Sequence, residues 1–244
     1  MSLRARVVNG LRKHPRLYDA VVGFSRALGK RDPLYQHLAR WARGRGEVHF
    51  LQVGANDGMA NDPIREFVVS RGWHGLVVEP LPHLFARLVR NYAHCHRVTP
   101  VQCAVGYGLG ERATIYRIRS DRSAAMPAWA DQIASFDRDH LLKHFPESLT
   151  ASDIEEVTVP VLTLEALVQA HKIERCDLLH LDVEGFEANL LLHADLATLR
   201  PRLILYESAH LSAEDAMAVA ARLTNLGYRI ETIGCDALAL LMEE

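Results

Sequence analysis

Val48-His49-Phe50-Leu51-Gln52-Val53-Gly54-Ala55-Asn56-Asp57-Gly58 is the stretch on which the fold turns. A short apolar run closed by turn residues reads as a buried parallel strand, and glycines at its end let the backbone turn tightly and approach a ligand. About twenty residues later a second apolar run, Leu76-Val77-Val78, ends in Glu79-Pro80. A carboxylate at that place in an α/β fold accepts hydrogen bonds from ribose hydroxyls. The two features together mark an adenosine-containing ligand, where either alone would pass for a sharp turn after a core strand.

The loop chooses among such ligands. A dinucleotide site needs G-x-G-x-x-G, so that a pyrophosphate can rest on bare amides at a helix N-terminus. Here only Gly54 and Gly58 are present, with Asp57 between them. An anion there repels a pyrophosphate at close range, whereas a cationic or zwitterionic ligand is tolerated or attracted. S-adenosylmethionine fits, because it carries a sulfonium and an ammonium and no phosphate.

Working outward, strand and helix alternate. Strands are expected over 48–53, 75–79, 98–104, 177–182 and 202–206, with helices over 62–70, 83–92, 164–171, 186–193 and 212–226. Asp62-Pro63 offers an N-cap and a first-turn proline, Gly72 and Gly227 are stops, and Ser212 to Asp215 reads as a capping box. This alternation calls for a parallel sheet with helices on both faces and a ligand at the carboxyl ends of the strands. Two terminal strands, 228–232 and 237–241, are spaced for a hairpin about Gly234. Residues 119–156 break the pattern and read as a lid, a substrate-binding insertion or an ordinary surface excursion, with a short helix near 136–145. The alternating stretches 113–118 and 157–161 could pair and hold its ends together.

Of the 244 residues 49% are apolar, enough for a sizeable core, and the formal net charge is −2. That balance argues against nucleic-acid binding, which needs a basic face. Residues 1–46 nevertheless hold eleven Lys and Arg against two acidic residues, so the rest is acidic by a similar margin. We read 1–46 as a basic helical N-terminal extension and 47–244 as the ligand-binding domain. Apolar stripes (Val7, Val8, Leu11; Val21, Val22, Phe24, Leu28; Leu34, Leu38, Trp41) with Arg4, Arg6, Arg12, Lys13 and Arg16 on the polar side suit a helical cap packed on the core. They also suit a peripheral membrane contact with anionic lipid. Cys95, Cys103, Cys176 and Cys235 lack C-x-x-C spacing, which removes zinc-finger and redox-motif readings and points to a reducing cytoplasm. No apolar run reaches the length of a membrane span.

VGANDG, VEP, SFDRDHLLKHF, VPVLTLEAL, DLLHLDVEGFE and RLILYESAHLS, in that order over roughly residues 48 to 241, resemble the FkbM-type family of S-adenosylmethionine-dependent O-methyltransferases. The resemblance implies a seven-stranded, mostly parallel Rossmann-like methyltransferase sheet with one reversed strand. It also implies an acceptor hydroxyl on a sugar, a glycan or glycolipid, or a secondary metabolite. Gly54 and Gly58 would admit the methionine moiety, Asn56 or Asp57 would receive its ammonium, and Glu79 the ribose. Cys103 and Ala104 would border the adenine, with Pro80 and Leu81 as an apolar edge.

Asp182 and Glu184 close one apolar run and Glu207 another, with His210 just beyond. On neighbouring strands they would share the cofactor rim. A carboxylate there could take the proton of a hydroxyl nucleophile or hold a divalent cation such as Mg that lowers its pKa. Asp182 is the first candidate for base or metal ligand, Glu207 the second, and His210 an alternative base. Asp182 could equally cap the helix that follows. The competing function is a non-catalytic S-adenosylmethionine-binding scaffold or sensor. A homo-oligomer is compatible with either.

Overall fold

A computed structural model describes residues 14–19, 32–123, 126, 130–144 and 149–242 of the chain. Its centre is β1 (His49–Val53), whose residues alternate between two apolar layers. Leu51 and Val53 face one core, shared with helices α6 (Leu164–Ala170), α7 (Glu187–His193) and α9 (Ala213–Asn225). Phe50 faces the other, shared with α1 (Pro33–Trp41), α2 (Arg65–Arg71) and α3 (Pro82–Tyr92). Period-2 alternation with both faces apolar is what a strand covered on both sides requires.

The main sheet has seven strands in the order β10-β11-β9-β8-β1-β2-β3, with β2 (His74–Val78), β3 (Val98–Val101), β8 (Leu178–Leu181), β9 (Leu203–Glu207), β10 (Tyr228–Ile233) and β11 (Asp236–Leu241). It is mixed rather than mostly parallel. β3, β2, β1, β8 and β9 pair in parallel, while β11 runs antiparallel to both β9 and β10. The reversal follows from the tight turn at Cys235, next to Gly234 with φ of 65°. A two-residue connection joins strands only in antiparallel fashion.

The strand expected over 98–104 is divided. β3 ends at Val101, and Ala104–Val105 forms β4 in a second sheet of order β4-β7-β5-β6. There β5 (Arg112–Ile118) pairs antiparallel with β7 (Ile154–Leu162), from Arg112 opposite Pro160 to Ile118 opposite Ile154, as the alternating stretches suggested. β6 (Ala134–Ser135) adds to the free edge of β5. Two short helices, α4 (Ser120–Ser123) and α5 (Arg138–His144), belong to the same excursion, and α8 (Leu196–Leu199) precedes β9. The expected helix starts are close, except that α2 begins at Arg65. Ile64 rather than Asp62 is the N-cap, and Asp62 instead fixes the turn leading into the helix, its Oδ1 accepting from the amides of Ile64 at 2.9 Å and Arg65 at 3.0 Å.

The expected apolar and basic positions at 4–13 and 20–31 lie outside the described residues. What is described of the N-terminal part is packed. Tyr35 stacks on Phe67 at 5.0 Å, Leu38 is fully buried, and the buried Tyr18 hydroxyl donates to the Met59 carbonyl at 3.2 Å. Asp19 meets the buried Arg65 guanidinium twice, at 2.7 and 3.0 Å, and Arg65 also donates to the carbonyls of Gly58 and Asn91. Asp19→Ala is therefore expected to cost about 1–2 kcal/mol, less than the loss of a fully buried pair because Arg65 keeps its two carbonyls. Thermal unfolding checks this; an unchanged Tm would mean that the segment merely rests on the surface. Among the described residues no helix is long and apolar enough to cross a membrane.

Candidate functional site

The site is built where β1, β2 and β8 end. Gly54, with φ of 82°, crosses the end of β8 so closely that a Cβ would lie 1.7 Å from the Asp182 carbonyl oxygen. No side chain fits, and β1 and β8 present their C-terminal ends as one lip. Asn56 follows at φ of 53°, its amide donating to Glu79 Oε2 at 3.0 Å and its side chain donating to the Gln132 carbonyl at 3.1 Å. Glu79 Oε1 accepts from the Leu81 amide at 2.9 Å. Burial, reinforced by the charge of Asp57, pushes the Glu79 carboxyl up to about 7 despite those two amides.

Gly58 and Asp57 serve the loop. A Cβ at Gly58, whose φ is 67°, would stand 2.5 Å from Leu88 Cδ1 and 2.6 Å from a Tyr92 ring carbon of α3. Asp57 Oδ1 accepts from the amides of Met59 at 2.9 Å and Ala60 at 2.8 Å, while Oδ2 takes a long bond of 3.4 Å from Gln132. Both residues lie outside the lining of the cavities described next.

Two cavities adjoin across this lip. The first holds about 600 Å³ of space open to solvent and is lined by Glu79, Pro80, Cys103 and Ala104 together with Ile115 and Phe136. That volume falls in the range of small-molecule sites. Its polar lining is Glu79 with Asn56, Gln132, Ser135, Asp182 and Glu184, and Pro80, Cys103, Ala104, Ile115 and Phe136 give an apolar wall, a combination that suits a ribose joined to a flat base. Leu81 turns into the core instead. The second cavity, about 730 Å³, is lined by Gln52, Asp62, His180, Glu207 and His210. Gly54, Asn56, Gln132, Asp182 and Glu184 line both.

Asp182 thus stands between the cavities. Its side chain is exposed where it opens into them. Desolvation, then the charges of Glu184, Glu207, Glu187 and Asp236, hold its carboxyl well above the usual range. Oxygens of Asp182, Glu187 and Glu207 lie within 4.8 Å of one another, as do ligand atoms of Glu184, Glu207 and His210. The expected pair Asp182 and Glu207 therefore does meet, and His210 Nε2 stands 3.5 Å from Glu207 Oε1. Glu187, rather than Asp182, caps the loop before α7, accepting from the amides of Val183 at 2.7 Å and Gly185 at 3.1 Å. Its buried carboxyl is pushed up to about 7.

The excursion over 119–156, read as a lid, a substrate-binding insertion or a surface excursion, supplies Gln132, Ser135 and Phe136 to the cavity; the strand pairing that brings them there, and Ile115 with them, was not read from the sequence. Ile115, Gln132, Ser135 and Phe136 reach the site because β6 pairs with β5, and Ser135 Oγ donates to the Glu184 carbonyl at 3.0 Å. No local pattern signals a two-residue strand. Sequence reasoning also passed over Gln52 and His180, which look like interruptions in apolar runs.

Residues 52–230 match the family described as the Methyltransferase FkbM domain. Among solved structures, methyltransferase FkbM from Methylobacillus flagellatus KT aligns with a TM-score of 0.49 and 14% identity over 93% of this chain and 50% of its own, so the chain spans about half its length. Aeropyrum pernix fibrillarin in complex with natively bound S-adenosyl-L-methionine aligns with a TM-score of 0.42 and 11% identity, over 85% of this chain and 76% of that one. A TehB-like SAM-dependent methyltransferase from Corynebacterium glutamicum aligns with a TM-score of 0.40 and 12% identity, over 95% and 99%. No curated protein matches the chain. On the match over 52–230, the chain belongs to the FkbM family of S-adenosylmethionine-dependent methyltransferases.

Proposed function

We propose that the protein methylates a hydroxyl oxygen of a sugar, glycan or glycolipid, or secondary metabolite. The observation that carries this reading is the sharing of Asp182 by two cavities, one fitted to a nucleoside and the other polar and acidic. Glu79 would hold the ribose hydroxyls, Asn56 and the Gly54 backbone the methionine end, and Cys103, Ala104, Pro80 and Phe136 the base. When bound, S-adenosylmethionine supplies a methyl group on a sulfonium, already activated for transfer. Holding the acceptor oxygen in line with it accounts for much of the acceleration.

An alcohol must also lose its proton. Asp182 would take it, and its raised pKa brings a carboxylate closer to the proton affinity that a general base near neutral pH needs. Glu207 and His210 would receive or relay that proton at the rim. If a divalent cation held by Asp182 and Glu207 is what acidifies the hydroxyl, turnover disappears in EDTA; turnover that survives assigns the proton to Asp182 directly. The carboxylate cluster weighs against a scaffold that only binds the cofactor.

Calorimetric titration with S-adenosylhomocysteine, with NAD as control, tests the first cavity. Micromolar binding of the former alone is expected. Transfer of radiolabelled methyl from S-adenosylmethionine to glycosides then tests the second. Binding without transfer to any hydroxyl compound would favour the scaffold reading.

A further inference from the structure

Gln52 and His180 are register partners on β1 and β8, in a row that runs Val77, Gln52, His180, Leu205 across four strands. All four side chains point to the face that buries Phe50, Leu178 and Leu203. The row is apolar at both ends and polar in the middle, under the second cavity. Gln52 is 2% and His180 4% exposed, yet Gln52 Oε1 and His180 Nδ1 have no hydrogen-bond partner among the described residues. A buried polar atom left unpaired costs stability, and two side by side at the floor of a cavity call for an occupant that pairs them.

The chemistry of that occupant is constrained. The Gln52 amide neighbours the Asp62 carboxyl and favours its charged form, as an N–H turned toward it does, so its oxygen is what remains, and that oxygen needs a donor. Burial holds the His180 imidazole neutral, down to about 4, so Nδ1 can accept or donate with its tautomer. A hydroxyl satisfies both atoms at once, since it donates one hydrogen and offers two lone pairs. Among the described residues the lining carries Asp62, Asp182, Glu184 and Glu207 and neither Lys nor Arg, so a carboxylate or phosphate on the ligand would face four carboxyl groups.

We propose that Gln52 and His180 form the specificity floor of the acceptor site, binding a second, unmethylated hydroxyl of a neutral polyol while a neighbouring hydroxyl faces Asp182. This rests on the hydroxyl-methylating reading above. It narrows the acceptor to uncharged glycosyl or polyol groups and assigns both residues to acceptor recognition, with no part in holding the cofactor.

The test uses the full chain with radiolabelled S-adenosylmethionine and a panel of methyl hexosides, the matching uronates and the hexoside 6-phosphates. Neutral hexosides are expected to be methylated and the anionic ones refused. His180→Leu and Gln52→Met should raise KM for the hexoside at least tenfold and leave S-adenosylhomocysteine affinity within twofold. His180→Leu should keep or raise Tm, because it removes an unpaired buried nitrogen, and His180→Asn, which restores a polar atom near Nδ1, should recover most of the lost KM. Preference for uronates or phosphates, failure to methylate any neutral polyol, or an unchanged KM in both variants would overturn the proposal. So would a fall in Tm with His180→Leu at unchanged KM, which would assign the pair to a structural water. Wild-type protein that binds no S-adenosylhomocysteine would instead defeat the underlying methyltransferase reading, and that failure shows before any glycoside is added.

Discussion

Asp182→Asn is expected to lose methyl transfer by about 10³-fold, roughly 4 kcal/mol of barrier, while binding S-adenosylhomocysteine within about threefold of wild type. The fold should survive, because what Asp182 contributes structurally is backbone. Its amide donates to the Val53 carbonyl at 3.0 Å and its carbonyl oxygen lies against Gly54, and neither changes with the side chain. The pH profile separates a base from a bystander. Because desolvation at the rim and four acidic neighbours raise the Asp182 pKa, the basic form is lost as pH falls through a value above the ordinary carboxylate range, and turnover should decline there. Glu207→Gln removes one of those neighbours and should move the decline to lower pH. Linkage gives a second sign. A native carboxyl with raised pKa binds its proton more tightly than the unfolded one, so stability falls as pH rises through the interval between them. Asn at 182 does not ionise, and this variant should be more stable than wild type at alkaline pH. Turnover within a few fold of wild type would leave Asp182 as a structural lip and move the search for a base to Glu207 and His210.

The main sheet was legible because β1, β2, β8 and β9 carry apolar runs and β10 an alternating one, bounded by residues that cannot continue them, such as Gly54 after Val53, Pro80 after Glu79 and Gly234 between β10 and β11. Periodicity could not show that 98–104 is two strands. Nothing between Val101 and Ala104 marks the break, and what draws Ala104–Val105 away is pairing with Val161 and Leu162, nearly sixty residues on. The same non-local cause places Ser135 and Phe136 on the cofactor cavity. The mixed sheet follows from a turn too short for a crossover, a property of connection length that the seven-strand expectation treated as a detail.

Within the site, residue type was read more accurately than residue role. Gly58 was expected to open the loop to a ligand, and its missing Cβ instead admits Leu88 and Tyr92 of α3. The ammonium was expected at Asn56 or Asp57; the Asp57 carboxylate ties down the amides of Met59 and Ala60, while Asn56 lines both cavities. Gly58 and Asp57 shape the turn from within. Gln52 and His180 show the converse error, since polar residues inside a core strand were averaged into the apolar pattern although their burial makes them the costliest to leave unpaired.

Glu79→Ala is expected to weaken S-adenosylhomocysteine binding by about 10²-fold, roughly 2.7 kcal/mol. The loss exceeds that of one ribose contact because Glu79 also holds the amides of Asn56 and Leu81, which fix the loop on one side of the cavity and the start of α3 on the other. Removing the carboxylate leaves one part-buried and one buried donor without their acceptor, and the cofactor must then order the loop as it binds. Glu79→Gln should recover little, since one of its two terminal atoms becomes a donor facing a donor. The pH dependence carries its own sign. With a carboxyl at about 7, ribose hydroxyls that donate to the ionised form should bind more tightly as pH rises through that value, and binding at pH 6 should release protons, measurable as a dependence of the calorimetric heat on buffer ionisation enthalpy. Folding runs the other way. Between the ordinary 4.5 and about 7 the native state holds the proton that the unfolded chain has lost, so ligand-free stability should fall across that interval, by roughly 3 kcal/mol from this group. Affinity that rises with pH while ligand-free stability falls is the signature of a carboxylate kept buried for its ligand. Affinity flat from pH 5.5 to 8 would mean that Glu79 holds the loop alone and that the ribose is bound elsewhere.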